Sequence, residues 1–166
     1  MTIPGHDGFT VLEAVLYTAV VALLVGTMGV LLSTVSGARA RAASILDVES
    51  QGAFAMEQLL ETVRNAGSIS APTIGTTGTT ATVAVDTAAY SPTSYSISSG
   101  TLFVTRGSGA AQALTNSHVT ASDFSVRNLS RSGTPGTLRV QFTLSTLSTS
   151  EPYYYQQTFY GTASLR

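Results

Sequence analysis

The feature that most constrains this chain is a run of 25 residues without a charge, Ala14–Ala38, AVLYTAVVALLVGTMGVLLSTVSGA. Crossing a hydrocarbon core about 30 Å thick takes roughly 20 predominantly apolar residues in a helix. The run is long enough, which speaks against a purely soluble cytosolic protein. In a chain of 166 residues it leaves room for one modest domain.

The helical signal continues past the run. Residues 9–66 contain no proline, and Ile45, Val48, Gly52, Ala55, Leu59, Val63 and Ala66 recur at steps of three and four. That spacing makes one narrow apolar stripe, with Asp47, Glu49, Glu57, Glu61 and Arg64 mostly off it. Gly67 is placed to stop the helix, because a left-handed residue at a helix end costs glycine little. Unbroken from Phe9 to Ala66, such a helix spans roughly 87 Å at about 1.5 Å per residue. It reads as a stalk, half for lipid and half for protein.

Composition changes after Gly67. Residues 68–166 hold 36 Ser or Thr and only eight charges in 99 positions. Period-two alternation marks strands: Leu138, Val140, Phe142 and Leu144 against Arg139, Gln141, Thr143 and Ser145. Phe124 and Val126 repeat it, as do Tyr153, Tyr155, Gln157 and Phe159. Ser99-Gly100 is a tight hairpin connection between residues 94–98 and 101–106. Loops at 130–136 and 148–152 join the later strands as an antiparallel meander, and the duplicated Gly-Thr-Thr at 75–80 reads as a flexible loop. The expected fold is α+β, a long N-terminal helix packed on an antiparallel β-sheet head. A single sheet with one apolar face and an amphipathic stripe each lack a cover, and the two-layer solution is each other. Leu138, Val140, Phe142 and Leu144 are therefore expected to face the 45–66 stripe, with Arg139, Gln141 and Thr143 outward.

Several chemistries have no residues to carry them. The absence of cysteine excludes disulfides, thiolate metal sites and cysteine nucleophiles. His6 and His118 lack metal-ligand partners at useful spacing, there is no Gly-x-Ser-x-Gly elbow, and Gly107-Ser-Gly109 lacks the remainder of a phosphate loop. All eight basic residues are arginine and the net charge is −1. The head's five arginines against three acids give +2, too little for a nucleic-acid footprint. Tyr153-Tyr154-Tyr155 reads first as a strand dividing between core and surface, and Asn128-Leu-Ser130 is a glycosylation sequon by pattern alone. No enzyme activity, metal or cofactor is expected.

The N-terminus decides the functional reading. A generic secretory signal has a positively charged start and an apolar core of about 7–15 residues; this start has no Arg or Lys and a longer run. Simple anchoring does not require Glu13, a carboxylate at the front edge of the apolar segment that is costly if ionised and unpaired in lipid. Gly8-Phe9-Thr10-Val11-Leu12-Glu13 followed by an uninterrupted apolar helix resembles the class III signal of type IV prepilins and type II secretion pseudopilins at all six positions. At lower specificity, MEQLLETVRNAGSIS, the hairpin SYSISSGTLFVTR and the final TASLR look like the larger minor group, W-type minor pilins and J-type pseudopilins. The leader departs from that family in having no Lys or Arg, while Arg39 and Arg41 flank the other end of the run, contrary to the positive-inside rule. An atypical leader and an upstream start codon both account for this.

The resemblance implies a leader at 1–8, a stalk helix at 9–67 (membrane span about 14–36, amphipathic 37–67) and a β-rich head at 68–166. Gly8 would precede the bond cut by prepilin peptidase, and Phe9 would become the N-methylated mature N-terminus. Glu13 would meet the N-terminal amine of a neighbouring subunit; a spacing of four residues puts carboxylate and amine at matching depth, and each charge is less costly paired than alone. Implied partners are other pilin or pseudopilin subunits, prepilin peptidase, the inner-membrane assembly platform and, before assembly, the lipid bilayer. The location implied is the cytoplasmic membrane in a single pass, then an extracellular or periplasmic filament. The alternatives are a major pilin of the shaft, a DNA-uptake competence pseudopilin and, from another class, an unprocessed single-span membrane protein displaying a β-rich binding module.

Overall fold

The computed structural model describes residues 10–148 and 153–166. The protein divides into two units, Met1–Ala40 and Arg41–Arg166. One helix, α1 (Val11–Arg64), contributes to both. It starts at Val11 and ends at Arg64, within the expected bounds of Phe9 and Ala66. Gly67 does not act as a left-handed stop: Ala66 and Gly67 already belong to the first strand, and Gly67 has no positive φ.

In the first unit α1 stands without cover. Val11, Leu12, Leu23, Val30 and Leu32 are all strongly exposed. The segment is long and apolar enough to cross a membrane, and none of its most apolar stretch is buried within the protein. Its threonine hydroxyls are quenched internally: Thr18 donates to the Val15 carbonyl at 2.9 Å, Thr27 to Leu24 at 2.8 Å and Thr34 to Val30 at 2.8 Å. Polar atoms satisfied within their own helix are the kind that lipid tolerates.

The second unit packs the remainder of α1 against two antiparallel sheets, an α+β fold. The first sheet contains β1 (Ala66–Ala71), β3 (Thr80–Val85), β4 (Thr93–Ser98), β5 (Thr101–Arg106) and β6 (Gln112–Ala113), in the order β1-β3-β4-β5-β6. The second contains β2 (Thr77–Gly78), β7 (Val119–Asn128), β8 (Thr137–Thr146) and β9 (Gln156–Ser164), in the order β2-β7-β8-β9. Ser99 and Gly100, with φ of 49° and 76°, make the hairpin turn between β4 and β5, and two positive φ angles suit the right-handed twist of its strands.

One core joins the three layers. From the helix come Val48, Ala55, Leu59 and Val63; from the first sheet Val83, Tyr95, Leu102 and Val104; from the second Val126, Leu138, Val140, Phe142 and Leu144. Removing a side chain of Leu or Val size from water contributes roughly 1.5–3 kcal/mol. The helix stripe therefore matters to the head's stability. Two sheets replace the single one expected, because β3, β4 and β5 bury their own alternating residues and do not extend the β7–β9 meander.

Strand β7 reverses its phase midway. Val119 and Ala121 point inward, then Phe124, Val126 and Asn128 do. Ser122 pairs with Thr143 and Ser125 with Gln141, so Asp123 and Phe124 together oppose Phe142. This is a β-bulge, with Asp123 in the left-handed region at φ 53° and its carboxylate accepting from the Ser122 hydroxyl at 3.1 Å.

Further differences from the sequence reading have local causes. Thr143 keeps the alternation that sets it on the face opposite Phe142 and Leu144, yet it is buried there and shares a hydroxyl hydrogen bond of 3.0 Å with Thr158 on β9. The last strand begins at Gln156, after the tyrosine run. Thr146 captures that run, its hydroxyl donating to the Tyr153 carbonyl at 3.2 Å and accepting from the Tyr155 N–H at 3.1 Å. The Gly-Thr-Thr segment supplies β2, paired with Arg127 and Val126.

Candidate functional site

The N-terminal motif is described from Thr10 onward; Gly8 and Phe9, the expected cleavage junction, lie outside the described residues. Thr10 immediately precedes α1, and its side-chain oxygen accepts the Glu13 N–H at 3.3 Å. Its carbonyl accepts the Ala14 N–H at 3.1 Å and so opens the helical ladder. Thr10 is thus the N-cap, and Thr-x-x-Glu is a capping-box spacing. That signal was readable in the sequence, where Thr10 counted only as one position of the motif. Glu13 is exposed in the first turn, where a negative charge complements the unpaired N–H groups of a helix start. It is the sole acidic residue of α1 before Asp47.

In the head, the polar residues taken out of water are held by structure. Asn128 is buried; its amide donates to the Pro72 carbonyl at 2.8 Å and its side-chain oxygen accepts the Ser130 N–H at 3.0 Å. Its backbone receives Gly75 N–H and reaches the Thr76 carbonyl. The sequon asparagine is therefore a clasp between the 72–76 loop and β7, without a free amide for a glycan. Tyr95 is fully buried and its hydroxyl lies 2.7 Å from Thr62 Oγ1. The Thr62 hydroxyl also reaches the Gln58 carbonyl at 2.8 Å. Burial pushes the Tyr95 phenol above its ordinary range, against the Thr62 bond and the Arg106 charge, which lower it, and with Glu61, which raises it.

The remaining candidates do not converge. His118 stands 4.0 Å from Asp47 with both side chains largely exposed, a pairing of little energetic weight. Tyr155 donates to Glu49 at 3.2 Å. Among the described residues no three His, Asp or Glu side chains come together as metal ligands.

No family profile, no curated protein and no solved structure matches the chain.

Proposed function

We propose that the chain is a structural subunit, a minor pilin or pseudopilin, of a type IV pilus or type II secretion-like filament. The observation that carries the reading is the pairing of Glu13 with a fully uncovered apolar helix directly behind a Gly8-Phe9 junction. An apolar surface of that extent needs lipid or other helices around it, and a carboxylate at its front edge needs a cation in either setting.

In this account prepilin peptidase cuts between Gly8 and Phe9 and the Phe9 amine is methylated. Processed chains wait in the cytoplasmic membrane and enter the filament through the assembly platform. The amine of one subunit pairs with Glu13 of a neighbour, which fixes the register of otherwise featureless helices. Glu13→Gln tests the pairing: membrane insertion and processing stay nearly intact while incorporation into sheared filaments falls. Normal incorporation of the variant removes Glu13 from the mechanism.

A further inference from the structure

The head carries a polar cleft whose lining no assembly role uses. It holds about 450 Å³ and lies between the last two turns of α1, the end of β3 and the Tyr90 turn. The helix contributes Gln58, Glu61 and Thr62, and Asn65 follows directly after it. Steps of three and four place them on one face, beside the apolar stripe of Ala55, Leu59 and Val63 but with hydrogen-bonding groups in its place. The Gln58 side-chain oxygen is sealed from solvent and accepts no hydrogen bond from a described residue, so the accessible polar groups on this side of the lining are those of Glu61, Thr62 and Asn65.

Two side chains, Tyr90 and Arg106, line this cleft and also a second of about 630 Å³. The Tyr90 backbone is held in place: its N–H donates to the Thr87 carbonyl at 2.9 Å, and its carbonyl accepts the Thr93 hydroxyl at 2.7 Å. The residue nevertheless remains 55% exposed. Arg106 donates to Gln112 at 2.9 Å, which orients a guanidinium with further donors to offer.

From this arrangement we infer that the Tyr90–Arg106 ridge and its flanking clefts bind a neutral oligosaccharide. An exposed aromatic side chain on a fixed turn accepts the C–H surface of a sugar ring. Planar amide, carboxylate and guanidinium groups around it suit vicinal hydroxyls, which both donate and accept. Glu61 and Asp86 on the same lining disfavour an anionic ligand, and the polar walls offer little to an apolar one. Two clefts that share Tyr90 and Arg106 in their linings fit a chain of sugar units better than a single unit. This role goes beyond filament assembly and does not depend on it.

The test uses the full chain in lipid nanodiscs, since sugar-headed detergents would compete. Titration calorimetry with cellotriose and with triacetylchitotriose is expected to show saturable binding of at least one. Tyr90→Ala and Arg106→Gln should each weaken it about tenfold or more with an unchanged circular dichroism spectrum. Tyr160→Ala, which removes a still more exposed tyrosine elsewhere, should leave it intact. Absence of binding by the unaltered chain, equal binding by the Tyr90 and Arg106 variants, or equal loss in the Tyr160 variant overturns the inference.

Discussion

The ring of Phe159 occupies the space that a side chain at Gly52 would fill. The fit is reciprocal one helical turn away, where Met56 and Leu60 of α1 occupy the space beside Gly161 of β9. Phe159 is itself held by Phe142 across the β8–β9 pair, with ring centroids 5.5 Å apart. Two glycines, one on each element, thus let the helix and β9 approach closely. The same contact orients the inner face of β8 towards the helix, so that Phe142 lies with Leu138, Val140 and Leu144 on the covered side.

Gly52→Ala should destabilise the head although alanine is the better helix former by about 1 kcal/mol. The methyl would overlap a ring that Phe142 restrains, and overpacking of this kind costs roughly 1–3 kcal/mol. Urea denaturation of a fragment starting at Arg39 measures it. A variant as stable as the parent, or more so, would show that Phe159 moves aside freely.

Residues 68–166 alone should be molten or aggregation-prone, whereas a fragment from Arg39 should be soluble and unfold cooperatively. The shorter piece lacks Val48, Ala55, Leu59 and Val63, four members of the shared core. Equal stability of the two fragments in denaturant would show that the helix stripe is dispensable.

Asn128→Ala removes two side-chain hydrogen bonds and leaves the Pro72 carbonyl and the Ser130 N–H to find other partners. Unpaired buried polar groups cost about 1–3 kcal/mol each, so a loss of roughly 2 kcal/mol is expected. Asn128→Asp should cost more at neutral pH, because it sets a buried carboxylate oxygen against the Pro72 carbonyl that the amide served. Thermal melts of both variants check the order.

Stability should fall as the pH rises above 10. The folded state keeps the Tyr95 proton beyond the ordinary tyrosine value of 10.0. Above that value the unfolded chain therefore binds fewer protons and the folded state loses ground. Tyr155 is shifted in the same direction by desolvation and by Glu49 and adds to the effect. The chain has no lysine, which leaves tyrosine as the main side chain titrating there. Tyr95→Phe should cost about 0.5–1.5 kcal/mol at pH 7 through the lost Thr62 bond and flatten the alkaline decline. An unchanged slope between pH 10 and 12 would contradict this.

How far the sequence could be read varies with the contrast it carries. The helix was legible because 25 uncharged residues and a three-four stripe leave little alternative. Strand β8 was legible from its alternation, but Thr143 was not, since its burial depends on a hydroxyl partner 15 residues away. The bulge at Asp123 left a trace, the change from odd to even apolar positions between Ala121 and Phe124, that alternation within short windows conceals. Of the first sheet the β4–β5 hairpin was legible from its Ser99-Gly100 turn, whereas β3 was hidden because TATVAV has small side chains on both faces. At the N-terminus the motif was visible in full, while Thr10 as a helix cap was overshadowed by it.

The central claim is processing and assembly, and the mass of the mature chain tests it most directly. Filaments sheared from the native cell and digested lightly should yield an N-terminal peptide that begins at Phe9 and carries one added methyl group. A chain recovered only from the membrane fraction, beginning at Met1 and never found in filaments, would contradict the account and leave an unprocessed single-span display protein.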